Sequence, residues 1–204
     1  MVRKPKTIRF WQGRLPHWEV EGGRYFITIH THGAIPHQGH RRLRTMAEEL
    51  ARVESRDSPE CLRLQRSIFR EMEQWLDLAR WAPHFSTSEV ATMTVEAIEH
   101  RKARGAWQMF AYVVMPTHLH LFCEFGSLGL QPTLKDFKRW TGHRGIAMIS
   151  DPTIDDFWQR EWFDHWSRSD EEDDRIVAYI QNNPVKAGLV MDYRQWPYGS
   201  WSKA

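Results

Sequence analysis

The segment Met115-Pro116-Thr117-His118-Leu119-His120-Leu121-Phe122-Cys123-Glu124-Phe125 sets two histidines two positions apart in an apolar run. Side chains alternate faces along a strand, so His118, His120, Phe122 and Glu124 share one face. Leu119, Leu121, Cys123 and Phe125 take the other, which suits a core. Two adjacent imidazoles can hold one divalent cation, and its open positions suit Lewis-acid work on a phosphoryl oxygen. Glu124 is a candidate third ligand or a partner for an imidazole N–H. The plainer alternatives are hydrogen-bonded core histidines and a rim carboxylate.

Several elements must position that pair. Arg24-Tyr25-Phe26-Ile27-Thr28-Ile29-His30-Thr31 follows Gly22-Gly23 and is rich in β-formers, which predicts a strand over 24–31. Trp107–Val114 and His118–Phe125 predict a hairpin closed by Met115-Pro116-Thr117. Residues 41–82 read as helical with a break at Asp57-Ser58-Pro59, where Ser58 is a candidate N-cap and Pro59 the first helical residue. Leu62, Phe69, Met72, Leu76 and Ala79 then form an apolar stripe. A further helix is expected from Ser86, with Glu89 completing a capping box. Thr133 and Asp136 suggest the start of another, with Leu134, Phe137, Thr141, Gly145 and Met148 on one face and Trp140 on its shoulder. An aromatic, strand-like stretch over Phe157–Trp166 comes next. The last helix is capped by Ser169 and Glu172 and is expected to stop at Asn182, before Pro184 and Gly188. β-patterned segments separated by capped helices predict an α+β fold with an antiparallel sheet covered by helices.

Composition narrows the function classes. The chain has 204 residues and a formal net charge of +2, so overall charge does not announce a nucleic-acid binder. Eleven tryptophans are many for this length and suit either a core or base-stacking surfaces. Two cysteines, Cys61 and Cys123, do not make a disulfide framework or a cysteine-rich zinc site. No apolar run predicts a membrane span or a signal peptide, so a cytoplasmic protein is expected. A single domain over 1–204 is expected, with a basic, aromatic N-terminal arm over 1–20 and a C-terminal helical extension over 169–204. Lys135, Lys138, Arg139 and Arg144 crowd one short helix and could neutralise phosphates. Asn182, Asn183 and Lys186 are further candidate DNA contacts, although the two asparagines equally suit a helix end. Arg160, His165 and Arg168 are weaker candidates.

Four ordered blocks resemble one family. Met115-Pro116-Thr117-His118-Leu119-His120-Leu121 resembles the His-hydrophobic-His signature of HUH single-strand transposases. Arg14-Leu15-Pro16-His17-Trp18 with Tyr25-Phe26-Ile27-Thr28, Phe157 through His165, and Tyr179-Ile180-Gln181-Asn182-Asn183-Pro184-Val185-Lys186-Ala187-Gly188-Leu189-Val190 look like the matching blocks of REP-associated tyrosine transposases. Trp196-Pro197-Tyr198 fits the same group. The resemblance implies a small ferredoxin-like α+β domain that binds hairpin-forming single-stranded DNA. It implies Mg²⁺ or Mn²⁺ on His118 and His120, and a helical tyrosine that attacks the scissile phosphate, leaving a 5′-phosphotyrosine link and a free 3′-hydroxyl.

The family's nucleophile pattern, Lys-x-Tyr-Thr, aligns with Lys138-Arg139-Trp140-Thr141, which puts Trp140 at the tyrosine position. An indole carries no ionisable hydroxyl and forms no such ester. The family's extra ligand position, one turn on, falls at Arg144, with His143 adjacent. Three readings stand open. The chain binds DNA without covalent chemistry, Trp140 stacking on a base. Alternatively the metal activates water, with His143 or Glu124 assisting. In the third, the alignment of this helix is displaced and one of Tyr25, Tyr112, Tyr179, Tyr193 and Tyr198 is the nucleophile. A monomer and a homodimer are both compatible with the sequence, as is a metal-free DNA- or RNA-binding module.

Overall fold

The computed structural model describes residues 3–53, 58–79, 84–149 and 151–202. Asp57, expected at a helix break, and residues 80–82 of the expected helix lie outside them. A hairpin of β1 (Thr7–Gln12) and β2 (Pro16–Val20) precedes β3 (Arg24–His30). Helices α1 (His37–Arg52), α2 (Pro59–Leu78) and α3 (Ser88–Ala103) follow, then β4 (Trp107–Val114), β5 (His118–Phe125), α4 (Leu130–Ile149), β6 (Phe163–Trp166) and α5 (Asp170–Lys186). The main sheet has the order β4-β5-β3-β6 and every pair is antiparallel. This is the α+β fold, an antiparallel sheet covered by helices, that the sequence predicts, with the strand order of a ferredoxin-like sheet.

Strand alternation divides the interior into two cores. Ile27, Ile29, Leu119, Leu121 and Cys123 pack under α3 and α4 with Val90, Ile98, Leu134 and Phe137. Phe26, Val113 and Phe122 pack under α1, α2 and α5 with Leu50, Ile68, Met72 and Ile180. His118 and His120 share the face of Phe122, and therefore the side of α2 and α5.

Helix ends depart from the local signals where tertiary groups supply the cap. Ser58 accepts from the Cys61 N–H at 3.1 Å with Pro59 at the first helical position, as its sequence predicts. α3 instead starts at Ser88, after a 3-10 turn over His84–Ser86, and its N-cap Thr87 makes no side-chain bond. α4 starts at Leu130, three residues before Thr133, because the Glu19 carboxylate on β2 accepts from the Leu130 N–H at 2.7 Å. No local pattern encodes that contact. α5 runs past Asn182 and through Pro184 to Lys186. Gly188, at φ +69°, ends it. Its N–H reaches the Val185 carbonyl at 2.9 Å and the Leu189 N–H reaches that of Pro184 at 3.0 Å, a Schellman pair. Proline removes a single helical bond so near the terminus. Within the aromatic stretch after Phe157, only Phe163–Trp166 forms a strand, joined upstream by one bridge between Thr31 and Trp158.

Candidate metal centre

Each ligand of the centre comes from a different constraint. Register pairs Thr28 with His120 and His30 with His118 across β3 and β5. The Thr28 hydroxyl lies 2.9 Å from His120 Nδ1 and that of Thr117 lies 3.0 Å from His118 Nδ1. These contacts fix both rings with their Nε2 atoms on the inner side. Glu73 arrives from α2, whose buried face reads Cys61, Gln65, Ile68, Met72, Glu73 and Leu76. One ligand atom from each of Glu73, His118 and His120 lies within 4.8 Å of the others.

α5 closes the site. Tyr179 and Asn183 are one helical turn apart and share its inner face. The Tyr179 hydroxyl donates to Glu73 Oε2. Asn183 Nδ2 lies 3.2 Å from both the Tyr179 oxygen and His120 Nε2. The Tyr179 ring meets the His120 imidazole edge-on at 5.4 Å. Lys186, one turn further, is paired with Asp77 at 2.8 Å and is exposed.

Burial dominates the electrostatics of the site. Burial holds the His118 imidazole at about 4 and that of His120 well below its ordinary value. Both are therefore neutral and competent ligands at pH 7. Burial also pushes the Glu73 carboxyl up to about 7, against the Tyr179 hydrogen bond that lowers it. Burial and then the Glu73 charge raise the Tyr179 phenol far above its usual range. Three buried polar atoms converge here with no hydrogen-bond partner: His118 Nε2, Glu73 Oε1 and Asn183 Oδ1. Buried polar atoms left unpaired are costly, and three at one place fit a cation. Two imidazole nitrogens and one carboxylate oxygen form a ligand set, so Glu73, His118 and His120 could hold a divalent metal.

The other candidate residues lie elsewhere. Glu124 shares the histidine face but sits at the far end of β5, opposite Arg24 and Gln108, with Phe122 between it and His120. The carboxylate that approaches the two imidazoles is that of Glu73. α4 packs under the opposite core, so Trp140 and His143 lie across the sheet from the imidazoles. Trp140 is 42 % exposed, with the Arg101 and Arg144 guanidinium carbons 5.8 and 5.2 Å from its ring. Lys135, Lys138, Arg139 and His143 line a groove with Arg160, Trp11 and Trp162. There Lys138 Nζ donates to the Gln159 and Arg160 carbonyls at 2.8 and 2.7 Å, and burial lowers its ammonium to about 8. Arg139 pairs with Asp136 at 3.0 Å. Asn183 is buried in the centre, whereas Asn182 is exposed. Of the five tyrosines, Tyr179 is the one whose hydroxyl reaches the ligand group. The signals for the missed residues were a glutamate on an apolar stripe and a Tyr-x-x-x-Asn spacing on one helical face.

No protein-family model matches the chain. It is 24% identical over 123 residues to the REP-associated tyrosine transposase of Escherichia coli K12, across 57% of this chain and 70% of that protein. A 46-residue stretch is 39% identical to a putative REP-associated tyrosine transposase of Haemophilus influenzae, across 22% of this chain and 26% of the relative. A solved structure of a REP-associated tyrosine transposase bound to a REP hairpin superposes with a TM-score of 0.58 at 17% identity, over 93% of this chain and 83% of that one. The shared property at that identity is the fold.

Proposed function

We propose that the chain is a REP-associated tyrosine transposase of the HUH type, which cuts and transfers hairpin-forming single-stranded DNA with Tyr179 as nucleophile. The observation that carries the reading is the Tyr179 hydroxyl, hydrogen-bonded to Glu73 and Asn183, with its ring edge-on to that of His120 at 5.4 Å. It favours a displaced alignment over a lost nucleophile. The tyrosine is one turn from Asn183 on α5, and α4 carries Trp140 on the far side of the sheet.

Each residue has a task that its geometry supports. Glu73, His118 and His120 would hold a divalent Mg²⁺ or Mn²⁺, which when bound supplies charge to offset that developing on the scissile phosphate. Glu73 Oε2 accepts the phenolic proton and Asn183 orients the phenol oxygen, so one lone pair is aimed while the proton has a destination. The Tyr179 oxygen bonds to phosphorus as the bond to the leaving 3′-oxygen breaks, and that oxygen takes up a proton. The products are a 5′-phosphotyrosine and a free 3′-hydroxyl, and the ester conserves the phosphodiester for rejoining. Lys135, Arg139 and Arg160 along the α4 groove are exposed cations suited to the phosphates of a duplex stem.

The test uses a 5′-labelled and a 3′-labelled hairpin oligonucleotide with Mn²⁺. Wild type forms a covalent adduct that survives denaturation, and Tyr179→Phe forms none while still retaining the oligonucleotide. Cleavage by Tyr179→Phe at the wild-type rate would replace the tyrosine with water as nucleophile. Retention by wild type without any cleavage would leave a binding module.

A further inference from the structure

Beside the tyrosine, on the same face of the sheet, lies an apolar cavity of about 180 Å³. Phe26, Phe69 and Phe163 form its walls and the Tyr179 ring forms its inner side. The three phenyl rings and the phenol are mutually tilted or edge-on, with Phe26–Phe69 at 5.2 Å, Phe69–Phe163 at 5.3 Å and Phe69–Tyr179 at 5.5 Å. That leaves aromatic surface facing the cavity without self-stacking. The volume is on the scale of the ~150 Å³ apolar cavities that accept one benzene ring.

The polar groups of the cavity are few and distinct in role. Gln65 is 7 % exposed and its carbonyl oxygen meets His165 Nδ1 at 3.4 Å, while its amide nitrogen has no hydrogen bond among the described residues. His165 Nε2 is bound to Glu172 at 2.9 Å, and the other Glu172 oxygen accepts from the Arg168 N–H at 2.7 Å, so the one carboxylate at the rim is already satisfied. Arg66 and Arg175 are exposed at the mouth. Neither makes an ion pair among the described residues. An aromatic slot, one buried amide edge and two exposed guanidinium groups, of which Arg66 Nε donates to the Leu62 carbonyl at 3.2 Å, describe a receptor for a flat heterocycle attached to phosphates.

We infer that this cavity takes a single unstacked nucleobase, of pyrimidine size, from the nucleotide next to the scissile phosphate. The inference rests on the function proposed above and adds how the strand is placed. With the base against Phe69 and Phe163 and its flanking phosphates at Arg66 and Arg175, the adjoining phosphate comes to the Tyr179 side of the slot. The Gln65 amide meets the base edge and gives one position of the target a preference, and the other contacts are indifferent to sequence.

The experiment is an abasic scan read by binding, so that it does not depend on cleavage. Tyr179→Phe protein is titrated with a fluorescent hairpin oligonucleotide carrying one abasic site at each position around the cut. One position is expected to weaken binding about 5- to 100-fold, the usual worth of a stacked base. Phe69→Ala removes that dependence, binding the intact strand as weakly as the abasic one. Phe69→Leu, which keeps the apolar volume should the alanine variant not fold, reduces the dependence in the same direction. A 2-aminopurine at the sensitive position changes emission on binding to the Tyr179→Phe protein, and does not with Phe69→Ala. A flat scan with binding intact overturns the slot and leaves the tyrosine mechanism standing, because adduct formation by wild type is scored separately. A sensitive position that persists unchanged in both Phe69 variants also overturns it. Absence of binding by any strand at low salt overturns both proposals.

Discussion

At the scale of residues, the centre is a set of polar atoms whose burial is tolerable only in company. Glu73 has one oxygen bound by Tyr179 and one left unpaired beside the unpaired Nε2 of His118. Glu73→Gln removes the charge and keeps the shape. It is expected to weaken Mn²⁺ binding by at least about 10-fold, read as free Mn²⁺ by paramagnetic resonance. Equal affinity in Glu73→Gln and wild type would remove Glu73 from the ligand set. Trp140 gives the complementary expectation. Its ring lies beside Arg101 and Arg144 on the other side of the sheet, so Trp140→Ala should leave the rate of adduct formation at saturating DNA unchanged. A rate fallen to background would restore Trp140 to the reacting centre.

At the scale of elements, the hairpin of β1 and β2 is tied to β6 and its approach by a buried imidazole. His17 is 1 % exposed, with Asp164 on Nδ1 and Glu161 3.4 Å from Nε2, and Trp11 stacks on its ring at 5.0 Å. Burial lowers its pKa, but the charge and hydrogen bonds of Asp164 and Glu161 more than offset this and hold it at about 9. The folded pKa lies above the ordinary value of 6.5, so the contribution is complete below pH 6.5 and disappears as pH rises through about 9. Wild type should therefore lose on the order of 2 kcal/mol relative to His17→Gln between pH 6 and pH 10 in urea denaturation. Parallel stability curves for the two proteins would show that the pair carries no linkage. The same contacts explain why residues 7–20 are a docked hairpin: Trp18 and His17 are buried, and Glu19 caps α4.

At the scale of the molecule, the sheet separates two jobs. The candidate metal ligands and the proposed nucleophile Tyr179 sit between β5, α2 and α5, and the cationic groove sits beside α4 on the other side. A cation bound only by the folded centre stabilises the whole fold by mass action. Mn²⁺ at about 100 times its dissociation constant should raise the wild-type melting temperature by roughly 5–10 °C. The His118→Ala, His120→Ala double variant should not respond. An equal rise in both would place the ion elsewhere.

The sequence by itself determined β3, β4 and β5 and their faces, because alternation and β-branched or aromatic content are local properties, whereas the β1–β2 hairpin stood in it as a basic, aromatic arm. The hairpin over 107–114 and 118–125, the Ser58-Pro59 helix start and the common face of His118 and His120 followed from it directly. So did the family likeness, since its motifs are contiguous blocks. Which helix covers which face was not written in any local pattern. Glu73 lies 45 residues or more from its histidine partners, and it differs from other helical glutamates only in interrupting an apolar stripe. Tyr179 and Trp140 both sit on helices with plausible spacing, and the crossing of the chain over the sheet puts only Tyr179 on the side of the imidazoles. α4 returns under Leu119 and Leu121 and α5 under His120, so only the latter can bring a hydroxyl to the imidazoles.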